Sequence, residues 1–136
     1  MAFRCKIDGP PHQYRRGPHE TSHRTDTGIW FAGITRLESN GSTLRNVANR
    51  NGTIGIVTSD SHGLILGNVI NRNAGHGLFV YDTFPDHGRF HTVTGNTANR
   101  NGGYGIATNL VGVIDGGGNR ARHNEDPLEC QGIVCA

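Results

Sequence analysis

The fold is decided by residues 68–80, Asn68-Val-Ile-Asn-Arg-Asn-Ala-Gly-His-Gly-Leu-Phe-Val80, in which a block bounded by Asn precedes a glycine and three apolar residues. The Asn block occurs four times, at spacings of 22, 28 and 23 residues, as Asn46-Val-Ala-Asn-Arg-Asn51, Asn68-Val-Ile-Asn-Arg-Asn73, Asn96-Thr-Ala-Asn-Arg-Asn101 and Asn119-Arg-Ala-Arg-His-Asn124. The glycine run recurs in step as Gly28-Ile-Trp-Phe31, Gly55-Ile-Val-Thr58, Gly77-Leu-Phe-Val80 and Gly105-Ile-Ala-Thr108. The chain is therefore built on a repeat of about 22 residues.

Each repeat holds two or three short β-prone runs bounded by Gly or Asn, which is what one coil of a β-solenoid requires. The strands of successive coils stack about 4.8 Å apart and form parallel sheets. Gly and Asn suit the corners because both accept left-handed backbone angles. We therefore predict an all-β domain over residues 27–136, with four to five parallel coils and a cap at 125–136, preceded by an irregular arm at 1–26.

The repeat also predicts which side chains share a position in successive coils. One inward column is expected from Ile29, Ile56, Leu78 and Ile106, and another from Ala48, Ile70, Ala98 and Ala121. Asn side chains at equivalent corners can form hydrogen bonds from coil to coil, as in other stacked strands. We expect one such ladder from Asn46, Asn68, Asn96 and Asn119, and a second from Asn51, Asn73, Asn101 and Asn124.

The G-[IL]-x-[TVF] run and the N-x-[AI]-x-x-N block, repeated from Gly28 to Asn124, resemble the right-handed parallel β-helix family. This family comprises the Asn-rich solenoids of the pectate-lyase superfold and related bacterial repeat proteins. The resemblance, and not the repeat itself, implies the right-handed sense. Because four coils are few for this family, the chain resembles a short member or the C-terminal part of a longer one.

Composition excludes several classes of protein. The 136 residues include 21 Gly and 13 Asn, which are poor in helix interiors, so a mainly helical protein is excluded. No window approaches 18 consecutive apolar residues, so we expect no membrane span. The net charge is only +2 and no basic stripe carries interleaved aromatic residues, so we expect no nucleic-acid partner.

The cysteines bear on the C-terminal end and on localisation. Cys130 and Cys135 stand close enough in sequence for a disulfide that holds the last turn over the end of the solenoid, while Cys5 is left as an ordinary thiol. The chain as written begins without an apolar signal segment. The expected disulfide and the family resemblance nevertheless favour an extracellular or periplasmic location.

Length variation between repeats indicates a candidate binding surface. The variation in length falls between the glycine run and the next Asn block, where residues 33–40 and 81–91 are interpreted as insertions. Insertions on one side of a repeat protein usually form its binding face. We predict a non-catalytic module that presents a surface to polysaccharide or protein without a cofactor. The candidate binding residues are Tyr81, Asp82, Phe84, Asp86, His87, Arg89 and His91.

Two alternatives follow from the resemblance. Polysaccharide lyases and uronate epimerases of this superfold use a basic residue near the sugar C5 proton and carboxylates that bind Ca²⁺ or the uronate. The matching candidates in this chain are Arg89 as the base, with Asp60 and Asp82 as the carboxylates. Proteins of periplasmic copper-binding type share the repeat, and His62, His87 and His91 are the candidate ligands for Cu or Zn. His62 and His91 each precede a β-prone run in successive coils and are expected to stack near each other, with His87 in the adjacent insertion.

The N-terminal end of the solenoid carries a separate expectation. An uncovered coil exposes unpaired strand edges to any similar chain. The arm before Gly28 is Pro-rich and contains no amphipathic helix that would lie across the first coil. We therefore expect self-association through the N-terminal coil.

Overall fold

The computed structural model describes residues 33–37, 41–59, 62–81, 90–109 and 113–136, which form twelve strands in three parallel sheets. Sheet A contains β1 (Ile34–Leu37), β3 (Ile56–Ser59), β6 (Leu78–Tyr81), β9 (Ile106–Thr108) and β12 (Cys130–Gln131). Sheet B contains β2 (Thr43–Leu44), β4 (Gly63–Leu66), β7 (His91–Thr94) and β10 (Val113–Gly117). Sheet C contains β5 (Val69–Asn71), β8 (Thr97–Asn99) and β11 (Arg120–Arg122), and Val47 bridges to Val69 at its edge.

Each coil passes through sheet A, sheet B and sheet C before returning to sheet A. Every strand pairs with its equivalent in the next coil, so Ile56 aligns with Leu78 and Leu78 aligns with Ile106. Neighbouring strands are parallel in all three sheets. The predicted parallel β-solenoid is confirmed.

The core is a set of inward columns, one from each sheet. Sheet A supplies Ile56, Leu78 and Ile106, all fully buried as predicted. Sheet B supplies Ile65 and Val93. The predicted sheet C column is confirmed, since Ala48, Ile70, Ala98 and Ala121 are all buried.

The first coil differs from the prediction. Ile34 pairs with Ile56 and is buried, so Ile34 takes the place in the column that was expected for Ile29, which lies outside the described residues. The interpretation of residues 33–40 as an insertion is therefore wrong, because β1 lies within them. Gly33 stands 13 residues before Asn46, the same separation as from Gly55 to Asn68, so these two coils have equal length here.

The first Asn ladder lies at the corner between sheets B and C. Asn68 Oδ1 accepts hydrogen bonds from the backbone N–H and the side-chain amide of Asn46, at 2.9 and 3.0 Å. The Asn68 amide in turn donates to Asn96 Oδ1 at 2.8 Å and to the carbonyl of Thr43 at 2.9 Å. Asn119 continues the same pattern beneath Asn96, at 3.1 Å. The predicted ladder is confirmed.

The second ladder lies at the corner between sheets C and A. The Asn51 amide donates to Asn73 Oδ1 at 2.7 Å, Asn73 donates to Asn101 Oδ1 at 2.9 Å, and Asn101 donates to Asn124 Oδ1 at 2.9 Å. Glu129 ends the series, because its Oε2 accepts from the backbone N–H of Asn124 at 3.1 Å and also from the Asn124 amide. A carboxylate thus supplies the acceptor that the next coil would otherwise provide.

The glycine of each repeat makes room for this second ladder. A Cβ at Gly33 would lie 2.5 Å from the amide nitrogen of Asn51, and a Cβ at Gly105 would lie 2.6 Å from that of Asn124. A Cβ at Gly55 or at Gly77 would likewise come too close to the amide nitrogen of Asn73 or of Asn101. The recurrent glycine is therefore required by close packing against the Asn column.

The C-terminal residues fold back on the last coil. Cys130 and Cys135 form the predicted disulfide. The N–H of Val134 donates to Asp115 Oδ2 at 2.8 Å, and the N–H of Ala136 donates to the carbonyl of Asn119 at 3.0 Å. These bonds tie the tail to β10 of sheet B and to the corner between sheets B and C. In the part of the chain that the structure describes, no helix has the length and apolar character needed to cross a membrane.

Candidate functional site

A row of aromatic side chains lies on the outer face of sheet A. Leu78 and Val80 of β6 point into the core, so the alternation of the strand turns Phe79 and Tyr81 outward. Their ring centroids are 5.1 Å apart and their planes differ by 27°. Both rings are partly exposed. Sheet A therefore presents two stacked rings beside the start of the segment that was predicted to bind ligand.

Two further rings from the corner before sheet A extend this row. His76 lies 5.5 Å from Phe79, and Tyr104 of the next coil lies 5.6 Å from His76, each measured between ring centroids. We call the four residues His76, Phe79, Tyr81 and Tyr104 the aromatic row. Each of its side chains is partly exposed. The row crosses two coils and presents four partly exposed rings to solvent.

Hydrogen bonds and charge fix one end of the aromatic row. The backbone N–H of Tyr104 donates to His76 Nδ1 at 3.0 Å, which requires Nδ1 to be unprotonated. Burial lowers the pKa of His76, and the negative charge of Asp126 opposes this shift. Desolvation raises the pKa of Tyr104, and the charge of Asp126 and its hydrogen bond with the tyrosine hydroxyl raise it further. Asp126 thereby links the C-terminal turn to the row.

The lowered pKa of His76 predicts a loss of stability in mild acid. The unfolded chain binds a proton at His76 more readily than the folded chain does. The contribution of neutral His76 to the free energy of unfolding is therefore complete above its unfolded pKa of 6.5, and it is lost as the pH falls towards the folded pKa. Protonation at Nδ1 also removes the acceptor for Tyr104. We expect the Tm to fall between about pH 7.5 and about pH 5.5.

His76→Asn keeps a side-chain acceptor but does not titrate, so we expect its Tm to fall less over the same interval. His62→Asn is the matched control because His62 is exposed and lies outside the row. Equal acid sensitivity of wild type and His76→Asn would show that His76 does not contribute to this loss.

The sequence-predicted binding residues divide into two groups. Tyr81 ends β6 and belongs to the aromatic row, whereas His91 begins β7 and is fully buried. The others lie outside the described residues, namely Asp82, Phe84, Asp86, His87 and Arg89. Asp60, a carboxylate of the lyase alternative, lies outside them as well. Roles for these residues remain predictions.

The expected stacking of His62 with His91 is not found. His91 aligns with Gly63 of β4, one residue after His62, and a shift of one residue turns a side chain to the opposite face of a sheet. His62 is accordingly exposed and His91 is buried. Within the described ranges, no group of three or more His, Cys, Asp or Glu side chains could hold a metal ion. His87 lies outside those ranges.

Sequence reasoning missed three members of the aromatic row. Phe79 lies within the repeated glycine run and was assigned only a structural part, although its position one residue after an inward Leu78 predicts an outward side chain. His76 and Tyr104 each stand just before the glycine of a repeat, at equivalent positions of successive coils. That equivalence is the signal that identifies them as neighbours.

Comparison with known proteins identifies the repeat. A family model described as a right handed beta helix region matches residues 14–125, which is most of the chain. The matched range includes all four Asn blocks and the four residues of the aromatic row. No curated protein and no solved structure matches the chain.

Proposed function

Because the chain belongs to the right-handed β-helix family, we propose that it is a non-catalytic β-helix module that binds polysaccharide through the aromatic row. The observation that carries this proposal is the continuous series of four rings, with centroid separations of 5.1 to 5.6 Å. These separations are close to the length that one sugar unit adds to a glycan chain. A glycan could therefore place successive sugars over successive rings.

The chemistry of the row suits sugar rings. One face of a pyranose presents polarised C–H groups, which are attracted to the electron-rich face of an aromatic ring. The hydroxyls at the rim of the sugar need hydrogen-bonding partners, and ligand sites usually pair an apolar surface with a few polar groups of this kind. His76, the Tyr104 hydroxyl and Asp126 supply such groups at one end of the row.

We propose binding and not catalysis because the side chains that form the row are aromatic rings and not catalytic carboxyl groups. Glycoside hydrolysis requires a pair of carboxyl groups that flank the scissile bond. Asp126 is the carboxylate that the described residues bring into contact with the row. Turnover in a uronate eliminase assay that follows the unsaturated product, abolished by Arg89→Ala, would replace this proposal with the lyase alternative.

The proposal is tested by measuring affinity for a panel of neutral and acidic polysaccharides, by affinity electrophoresis and calorimetry. We expect binding to at least one neutral polysaccharide, and we expect Phe79→Ala to weaken that binding about tenfold through loss of ring stacking. Tyr81→Ala should weaken binding to a similar extent. Because both side chains point outward, neither variant should unfold the protein, which circular dichroism would verify.

Ile114→Ala is the matched control, because Ile114 is an exposed apolar residue of β10 on sheet B. It should bind as the wild type does. Unchanged affinity in Phe79→Ala, or an equal loss in Ile114→Ala, would contradict a site on the aromatic row.

The proposal includes an oxidising location, either extracellular or periplasmic. The disulfide between Cys130 and Cys135 supports this part, since disulfides persist in such compartments and are rare in reducing ones. Cys130 lies in β12, which pairs with β9, so the bridge holds the last strand of sheet A in place. A protein isolated from its native cell with both thiols reduced would contradict this location.

A further inference from the structure

A groove runs along the outer face of sheet C and the corner that follows it. Its volume is about 580 Å³. The polar residues that line it come from equivalent positions of successive coils, and they are Asn49, Arg50, Asn71, Arg72, Asn99, Arg100, Arg122 and His123. The groove lies on a different sheet from the aromatic row and shares no lining residue with it.

Three arginines form a column along one wall of this groove. Arg50, Arg72 and Arg100 have φ values of 58°, 58° and 56°, and His123 takes the same place in the last coil, at 59°. The N–H groups of the three arginines donate to carbonyls of the next coil at 3.0 to 3.1 Å, which holds their backbones in register. All three side chains are exposed. We call Arg50, Arg72 and Arg100 the arginine column.

The amide side chains beside the column offer only donors to the groove. Asn49 Oδ1 accepts from the N–H of Asn71 at 2.8 Å, and Asn71 Oδ1 accepts from the N–H of Asn99 at 2.9 Å. Asn99 Oδ1 is buried and has no hydrogen-bond partner among the described residues. The three side-chain NH₂ groups have no hydrogen-bond partner among the described residues. The carbonyl oxygens of Asn49 and Asn71 therefore bond to the backbone of sheet C, while the NH₂ groups of all three amides remain for a ligand.

The charge of the column is not neutralised within the described part of the chain. No Asp or Glu is among the described residues that line the groove, and the column's guanidinium groups form no ion pair with any described carboxylate. A guanidinium group is a pure donor that binds carboxylate or sulfate through two parallel hydrogen bonds. A concave surface lined by charges of one sign also concentrates counter-ions. The groove thus selects a ligand that is anionic and rich in acceptors.

We propose that this groove binds an acidic polysaccharide, whose chain runs along the solenoid axis with its carboxylate or sulfate groups on the arginine column. Successive arginines are one coil apart, about 4.8 Å, which is close to the rise of one sugar in an extended glycan. Acidic groups on the glycan can therefore meet successive guanidinium groups, while its hydroxyl and ring oxygens accept from the Asn NH₂ groups. This site is independent of the aromatic row.

The lining of the groove favours a glycan over a nucleic acid. Proteins that bind single strands without sequence preference combine a positive groove with aromatic rings on which the bases stack. Among the described residues that line this groove, there is no Phe, Tyr or Trp. The stacked rings of Phe79 and Tyr81 lie instead on sheet A. Bases would find no Phe, Tyr or Trp side chain among the described lining residues on which to stack.

The test measures binding of polygalacturonate, a sulfated glycan and single-stranded DNA at low and moderate salt. The variant is Arg72→Asn with Arg100→Asn, because Asn accepts the left-handed backbone at both positions. We expect wild type to bind at least one acidic glycan, and the double variant to bind it about 10- to 100-fold more weakly. The slope of log affinity against log salt should fall in magnitude by about 2. Comparison of the two glycans shows whether carboxylate or sulfate is preferred.

The matched control is Arg45→Asn with Arg120→Asn. It removes the same charge from exposed arginines outside the groove, and Arg45 is also left-handed, with φ of 52°. We expect the control to retain most of the wild-type affinity, and Phe79→Ala to retain the salt dependence. The proposal is overturned if wild type binds neither acidic glycan, if the control loses as much as the groove variant, or if DNA binds more tightly than both glycans.

Discussion

Ile56→Ala should lower the free energy of unfolding by about 2 to 5 kcal/mol. Ile56 is fully buried and is stacked between Ile34 and Leu78 in neighbouring coils. Hydrogen bonds on both sides hold β3 in place, so the strand cannot move to fill the cavity. Denaturant unfolding, monitored by circular dichroism, measures the change.

Val57→Ala is the matched control, because Val57 is the next residue of the same strand and its side chain is only half-buried, on the outer face. We expect its cost to stay below about 1 kcal/mol. If the two variants were equally stable, the inward and outward faces of β3 would be misassigned.

Asn68→Ala should lower the free energy of unfolding by about 3 kcal/mol, because the loss of one side chain leaves several buried groups without partners. Asn68 Oδ1 accepts two hydrogen bonds from Asn46, and its amide donates to Asn96 and to the carbonyl of Thr43. Asn46, Asn68 and Asn96 are fully buried, so water cannot replace these bonds. Thermal and denaturant unfolding would both report the loss.

Asn71→Ala is the corresponding control on sheet C. Its side chain is half-buried, and its Oδ1 accepts one bond, from the N–H of Asn99. A loss of about 1 kcal/mol is expected there. A stable Asn68→Ala variant would mean that water solvates the corner and that the ladder contributes nothing.

The solenoid and both Asn ladders were predictable because each depends on residue type at a repeated position. Ile56, Leu78 and Ile106 recur with the glycine run, and Asn68 and Asn96 recur with the Asn block. Stacked coils place equivalent residues above one another, so a period in the sequence becomes a contact in space. The disulfide was predictable for a similar reason, since Cys130 and Cys135 are near in sequence and the chain turns between them.

The sequence-based predictions were wrong in two places. In the first coil, two alignments of the repeat were open, and at His62 and His91 a shift of one residue changed the face of the sheet on which a side chain lies. Gly28-Ile-Trp-Phe31 matches the whole glycine run and Gly33-Ile-Thr-Arg36 matches only its first three positions, yet Ile34 is the residue that pairs with Ile56. His62 and His91 each precede a β-prone run, yet His91 aligns with Gly63. Because loop lengths differ between coils, spacing alone does not determine which face such a residue takes.

The aromatic row and the groove with the arginine column could not be identified from the sequence alone, for a different reason. The aromatic row combines Phe79 and Tyr81 of one strand with His76 and Tyr104 from two corners, so it follows from sheet and corner geometry together. The arginine column is visible in sequence as the repeated Asn-Arg-Asn, but its lack of carboxylate neighbours among the described residues is a property of the folded surface.

The most direct test of the proposed function is an NMR titration of the ¹⁵N-labelled protein with oligosaccharides from the neutral polysaccharide that binds best. Because the glycan is proposed to bind on sheet A, the amide signals of His76, Phe79, Tyr81 and Tyr104 should shift together and saturate at one affinity. Signals of Ile114 on sheet B should stay unchanged. Saturable binding that leaves the four amides of the aromatic row unshifted would contradict the account.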